Sequence, residues 1–339
     1  MVNTWDWGRY HAQQQERQEL KKDSNFVGIG LILLFVAMQF VATLVLVLLM
    51  FAGVVDPVRA NSRFWGMDNT SFLLVYMLIY ASAMGLPMVI AALVARRQAR
   101  PFAVRRPLPA ADWVPALLAG MGVSVVANLV AGVIASFFSS FGITVPDVEM
   151  MVDTPLSLGL NILILAVLPA LLEEMVFRGY VMGTLRRYGD GLAVVVSALL
   201  FGLMHGNVVQ IPFAFLLGLV LGVLALQGGS IWPAVALHFL NNLMAVLLEY
   251  AAFHISEEQL QTVSLLLFLA LALVGAVAVI ILFARRSPLV RPTSSGQSLL
   301  TAKERASGIF LAPAMLISII LFLLETLLVS LSSLIPGLA

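Results

Sequence analysis

The chain has 339 residues, of which 61% are apolar, 11% charged and none cysteine, and its formal net charge is +1 at pH 7. Soluble domains carry roughly half apolar and a quarter charged residues, and the mean hydropathy here is +1.01, so the composition excludes an ordinary soluble domain and points to a polytopic membrane protein. It also excludes disulfides, thiolate catalysis and cysteine-based zinc sites, and near-neutral charge gives no basis for nucleic-acid binding.

Residues 1–25 are polar and hold Trp5, Trp7, Tyr10, Arg17, Lys21 and Lys22. They read as a cytoplasmic tail whose aromatics touch the headgroup region. The first apolar run, 26–54, follows this tail and is too long for a signal-peptide core, so it reads as an uncleaved first span. A span needs about 20 apolar residues. On that rule nine windows qualify: 26–54, 71–95, 113–141, 157–187, 191–206, 211–227, 232–252, 262–284 and 309–335. Lipid supplies no hydrogen-bond partners, so these windows must be helices. The expected fold is an all-α polytopic bundle.

Basic residues in short loops mark the cytoplasmic side. Arg96, Arg97, Arg100, Arg105 and Arg106 follow the second window, Arg186 and Arg187 close the fourth, and Arg285, Arg286, Arg291, Lys303 and Arg305 precede the ninth. The opposite loops hold Asp147, Glu149, Asp153, Glu257 and Glu258, with Arg59 and Arg63 as exceptions. The expected protein is integral to the cell (plasma) membrane with its N-terminus in the cytoplasm. Its expected organisation is the tail 1–25, N-terminal spans and a basic loop over 26–112, a core over 113–252, and C-terminal spans over 253–339 with a polar loop at 285–308.

Three windows carry groups that lipid disfavours. An ionisable side chain at mid-bilayer costs several kcal/mol or more, so such residues are rare and commonly functional. The fourth window reads Leu171-Leu172-Glu173-Glu174-Met175-Val176-Phe177-Arg178, after Pro169, which removes a helical hydrogen bond and is expected to bend the helix. Glu174 and Arg178, four apart, share a face and can pair. Glu173 is rotated by about 100° and is left for chemistry. A carboxylate in apolar surroundings suits proton transfer near neutral pH. In the fifth window Phe201 and His205 share a face, and Gly202 and Gly206 permit close helix approach. In the seventh, His238 and Asn242 share a face after Pro233; such a pair can bind a metal, donate to an oxyanion, hold a water or join two helices. Asn241 faces elsewhere. Gln39, Asn128 and Asn161 read as interhelical hydrogen-bond partners, and Glu325 as paired to a neighbouring helix or near the outer interface.

Depth tests whether these groups can meet. Glu173 and His205 sit roughly 20 Å from the cytoplasmic ends of their windows, but His238 only ~10 Å from the start of its own. Straight helices would leave His238 too shallow. A recessed connection at 228–232 would carry it deeper, with a polar cavity opening toward the cytoplasm past that turn.

Amide hydrolysis needs an activated water, a base and an oxyanion donor, and one carboxylate, two imidazoles and an amide supply them. Zinc catalysis needs about three nitrogen or oxygen ligands; Glu173, His205 and His238 meet that count, although no His-Glu-x-x-His motif is present. Metal-independent chemistry with no cofactor is the expected reading, with zinc left open. A transporter would also place charges within spans, but no inverted repeat is visible.

Glu173-Glu174-x-x-x-Arg178, Phe201-x-x-x-His205 and His238-x-x-x-Asn242, in this order, resemble the motif set of the CAAX-protease and bacteriocin-processing family of intramembrane proteases, which includes the type II CAAX prenyl endopeptidases. The resemblance covers roughly residues 113–252. It implies a helical bundle with a conical cavity facing the cytosol. It further implies that Glu173 and His205 activate a water, that His238 and Asn242 stabilise the oxyanion, and that Glu174 and Arg178 support them. The implied function is intramembrane endopeptidase, acting on a membrane-associated protein or peptide. Some prokaryotic members are linked instead to bacteriocin immunity or to anchoring partner proteins, so a non-catalytic scaffold is the alternative.

Overall fold

The structure, a computed structural model, describes residues 4–55, 66–95, 108–143, 151–290 and 298–332. Arg59, Arg63, Arg96, Arg97, Arg100, Arg105, Arg106, Asp147, Glu149 and Arg291, which carry much of the sidedness expected from sequence, lie outside the described residues. Among the described residues the regular structure is all helical.

In chain order the helices are α1 (Thr4–Phe51), α2 (Asn69–Ala95), α3 (Ala110–Ser139), the continuous run α4 (Pro155–Tyr188), α5 (Asp190–Met204), α6 (Gln210–Gly228), α7 (Trp232–Ala252), α8 (Glu257–Ala284), α9 (Ala302–Phe310) and α10 (Pro313–Ser332). Among the described residues seven are long and apolar enough to cross a membrane: α1, α3, α4, α6, α7, α8 and α10. Helix α5 is apolar but shorter, and α2, of 27 residues, is apolar over Asn69–Gly85. Over its described residues each window expected from hydropathy overlaps a helix, the window 309–335 taking in the end of α9 and all of α10. Outward residues such as Leu269, Leu273 and Phe283 of α8 are exposed and apolar, as lipid-facing positions require.

Two segments differ from expectation. The tail 1–25 continues α1 as helix from Thr4, making one element of 48 residues. The polar loop 285–308 contains α9, started by a capping box in which Thr301 and Glu304 satisfy each other's backbone N–H. The two segments hold each other: Arg17 pairs with Glu304, Gln13 donates to the Leu299 carbonyl at 3.0 Å, and the Leu299 N–H donates to Glu16 at 2.9 Å. Arg187, at the end of α4, pairs with Asp23 of α1 at 2.6 Å.

Small residues set the closest crossings. Gly122 of α3 and Gly275 of α8 meet backbone to backbone, and Gly28 of α1 lies against the backbone of Ala314 and Met315 in α10. The buried core runs between α4, α5, α6 and α7, around Phe177, Phe201, Leu221 and Leu237.

Helix α4 is not uniform. It widens into π-helical turns over Ile162–Val167 and Met175–Met182, on either side of Leu168–Glu174. Wide turns of this kind shift the side-chain register and recur at functional sites. Here they bracket Glu173 and Glu174.

Candidate functional site

Helix α4 supplies two buried carboxylates with different surroundings. Glu174 and Arg178 are fully buried, and Arg178 reaches Glu174 Oε1 at 2.7 Å. The same guanidinium donates to the Gly218 carbonyl of α6 at 2.9 Å and lies 4.7 Å from the centre of the Phe201 ring. A buried guanidinium needs such compensation, because an unpaired charge in an apolar interior costs several kcal/mol. Glu173 points elsewhere. Its Oε1 accepts a 2.8 Å hydrogen bond from the Tyr80 hydroxyl of α2, and its buried Oε2 has no hydrogen-bond partner among the described residues.

The two histidines are held alike. His205 Nδ1 lies 2.8 Å from the Phe201 carbonyl, and His238 Nδ1 lies 2.9 Å from Glu174 Oε1. A carbonyl only accepts, and a carboxylate beside Arg178 does the same, so each Nδ1–H is the donor and each Nε2 is the nitrogen left for another partner. His238 Nε2 is 3.8 Å from Glu173 Oε2, too long for a hydrogen bond. Phe201 presents its ring to both imidazoles at near right angles, with centroids 4.9 Å from His205 and 5.7 Å from His238. The depth mismatch expected for straight helices is absent, since His238 of α7 meets Glu174 of α4 directly.

Asn242 is placed by a proline. Pro169 has no N–H to give to the carbonyl four residues back, that of Leu165. Asn242 Nδ2 donates to that carbonyl at 2.9 Å, and Asn241 donates to Asn242 Oδ1 at 3.1 Å. One of the two Nδ2 hydrogens thus remains for another acceptor.

Glu173, His205, His238 and Asn242 line one cavity of about 280 Å³. Its remaining wall is largely apolar and includes Tyr76, Leu165, Phe213 and Leu217. Glu174 and Arg178 stand behind that lining. No residue of the 228–232 turn lines this cavity; Gln210 and Phe213, at the start of α6, do. Among the described residues no three of His, Asp and Glu form a metal-ligating group. Glu173, His205 and His238 share the cavity without closing a ligand set.

Tyr80 is the contact that the sequence reading missed. It lies 93 positions from Glu173, and an aromatic residue in an apolar span carries no local signal. Of the outlying polar residues, Gln39 does join two helices, donating to Glu325 of α10 at 3.1 Å. Asn128 bonds within its own helix, to the Ser124 carbonyl. Asn161 does the same with Ser157 and also reaches the Met151 carbonyl.

Residues 155–244 match the family described as "Type II CAAX prenyl endopeptidase Rce1-like". All seven motif residues fall within that segment. The chain is 21% identical over 133 residues to "Putative membrane peptidase YdiL" of Bacillus subtilis (strain 168), an alignment covering 39% of this chain and 54% of that protein. The chain thus spans about half the length of the curated relative it matches. No solved structure matches. Over residues 155–244 the chain is thus similar to the type II CAAX prenyl endopeptidases, and over 133 residues to a membrane peptidase.

Proposed function

We propose that this protein is an intramembrane endopeptidase that hydrolyses a peptide bond of a membrane-associated protein or peptide, using a water activated by Glu173 and His205. The observation that carries the reading is the sorting of the two carboxylates. Glu174 is neutralised by Arg178 and His238, whereas Glu173 turns an oxygen with no protein hydrogen bond toward a cavity that His205, His238 and Asn242 also line. In this reaction the water oxygen bonds to the scissile carbonyl carbon as a proton passes to Glu173 Oε2. His205 Nε2 orients the water. Asn242 Nδ2–H and the doubly protonated form of His238, through Nε2, donate to the oxyanion. The C–N bond then breaks and Glu173 returns its proton to the leaving nitrogen. No cofactor enters this scheme.

The apolar wall around the polar residues suits a substrate segment that enters from the bilayer. The protein acts in the cell membrane with its N-terminus cytoplasmic, in keeping with Arg186, Arg187, Arg285, Lys303 and Arg305 at one end of the bundle.

The test compares membrane proteomes of cells carrying wild type and Glu173→Gln. New protein termini should depend on wild type, with equal amounts of both proteins in the membrane. Termini unaffected by Glu173→Gln would leave the protein as a scaffold or immunity factor of the same fold.

A further inference from the structure

Tyr80 belongs neither to the motif set nor to residues 155–244. It reaches the site from α2, and its hydroxyl donates to Glu173 Oε1 at 2.8 Å. Tyr76, one turn earlier on α2, also lines the cavity but has no hydrogen bond to Glu173 among the described residues. The two carboxylate oxygens are therefore inequivalent. Oε1 is taken by Tyr80, while Oε2 is buried, free of protein hydrogen bonds and on the side of His238 Nε2.

The last torsion of a glutamate side chain is broad and nearly two-fold, so nothing intrinsic selects which oxygen faces the cavity. A hydrogen bond to an ionised acceptor is short and about twice as strong as a neutral one, and is stronger still away from water. One such bond to Oε1 fixes the plane of the carboxylate. We propose that Tyr80 is a positioning residue for Glu173: by holding Oε1, it presents Oε2 as the oxygen that takes the proton from water. This rests on the reading of Glu173 as the reacting carboxylate. The inference adds a contribution from α2, a helix outside the family match, to the catalytic geometry.

The experiment uses the full chain in its own membrane as wild type, Tyr80→Phe, Tyr76→Phe and Glu173→Gln. The infrared band of the Glu173 carboxyl is assigned as the one that Glu173→Gln removes. Tyr80→Phe should displace that band and Tyr76→Phe should not. Tyr80→Phe should also slow the appearance of wild-type-dependent protein termini by about tenfold, with protein amount and melting temperature unchanged. A fluorotyrosine at position 80 gives a second readout that leaves the packing intact, and its fluorine resonance should move when Glu173→Gln is added. Glu173→Gln abolishing cleavage while Tyr80→Phe cleaves at the wild-type rate would overturn the positioning role. So would an unmoved carboxyl band, an unmoved fluorine resonance, or equal displacement of the band by Tyr76→Phe. Cleavage that survives Glu173→Gln would instead overturn the assignment of Glu173.

Discussion

Glu174 Oε1 receives His238 Nδ1 at 2.9 Å and Arg178 at 2.7 Å, so one carboxylate oxygen ties α7 to α4 and neutralises the buried guanidinium at once. Arg178 in turn grips the Gly218 carbonyl of α6. Three helices thus share one polar knot with no side-chain exposure at Glu174 or Arg178. Breaking a buried pair by removing one partner typically costs about 3–5 kcal/mol, because the other charge is left uncompensated. Glu174→Ala and Arg178→Ala should therefore lower the melting temperature and the amount of folded protein in the membrane, and abolish cleavage as a consequence. Glu173→Gln, which keeps the acceptor for Tyr80, should melt close to wild type. Thermal unfolding in detergent separates the two classes, and equal destabilisation by all three would refute the division of roles.

The sequence made some of this visible and hid the rest, for identifiable reasons. The helices were legible because hydropathy acts over about 20 residues at a time, and each window overlaps a helix over its described residues. The pairing of Glu174 with Arg178 follows from four-residue spacing alone. Helix α9 lies in a polar stretch that hydropathy reads as loop, although Thr301 and Glu304 spell its capping box. The docking of α1 onto residues 298–310 links positions nearly 300 apart through exposed polar groups, and no periodicity reports it. Tyr80 was invisible for the same reason. The wide turns of α4, which set how Glu173 and Glu174 project, leave no composition signature either.

Asn242 offers a test of the oxyanion role that uses the backbone. Its amide hangs from the Leu165 carbonyl, which lacks a donor four residues on because that residue is Pro169. Loss of one oxyanion donor typically costs 10²- to 10³-fold in turnover, so Asn242→Ala should reduce cleavage by about 100-fold with little change in folded protein. Pro169→Ala restores an N–H that competes for Leu165, and should give a smaller loss by loosening Asn242. If Pro169→Ala is introduced into Asn242→Ala, it should cost little more. Additive losses in that pair would show that Pro169 acts independently of Asn242.

The metal-independent scheme carries a test of its own. Glu173, His205 and His238 share the cavity. On that scheme cleavage should persist after exhaustive chelation of purified protein, and added zinc should not raise it. Activity that disappears with chelation and returns with one equivalent of zinc would reassign His205 Nε2 and His238 Nε2 as ligands.

Packing beneath the site gives the last prediction. Gly202 precedes His205 by three residues, where α5 crosses α6. A Cβ at Gly202 would lie 2.9 Å from the Ile211 carbonyl oxygen and 3.3 Å from Phe215 Cβ. The first contact is with backbone, so Gly202→Ala can be accommodated only by moving α5 away from α6. That movement would carry Phe201, and with it the edge contacts to both imidazoles. Overpacking of this kind costs about 1–3 kcal/mol, and the displaced histidines should lower cleavage by more than the loss of folded protein explains. Gly132 of α3 is the internal comparison, since a Cβ there would meet nothing within 4 Å. Gly132→Ala should leave cleavage unchanged and raise the melting temperature slightly, because alanine is the better helix former by about 1 kcal/mol. Cleavage by Gly202→Ala at the wild-type rate would mean that the α5–α6 crossing does not set the position of His205.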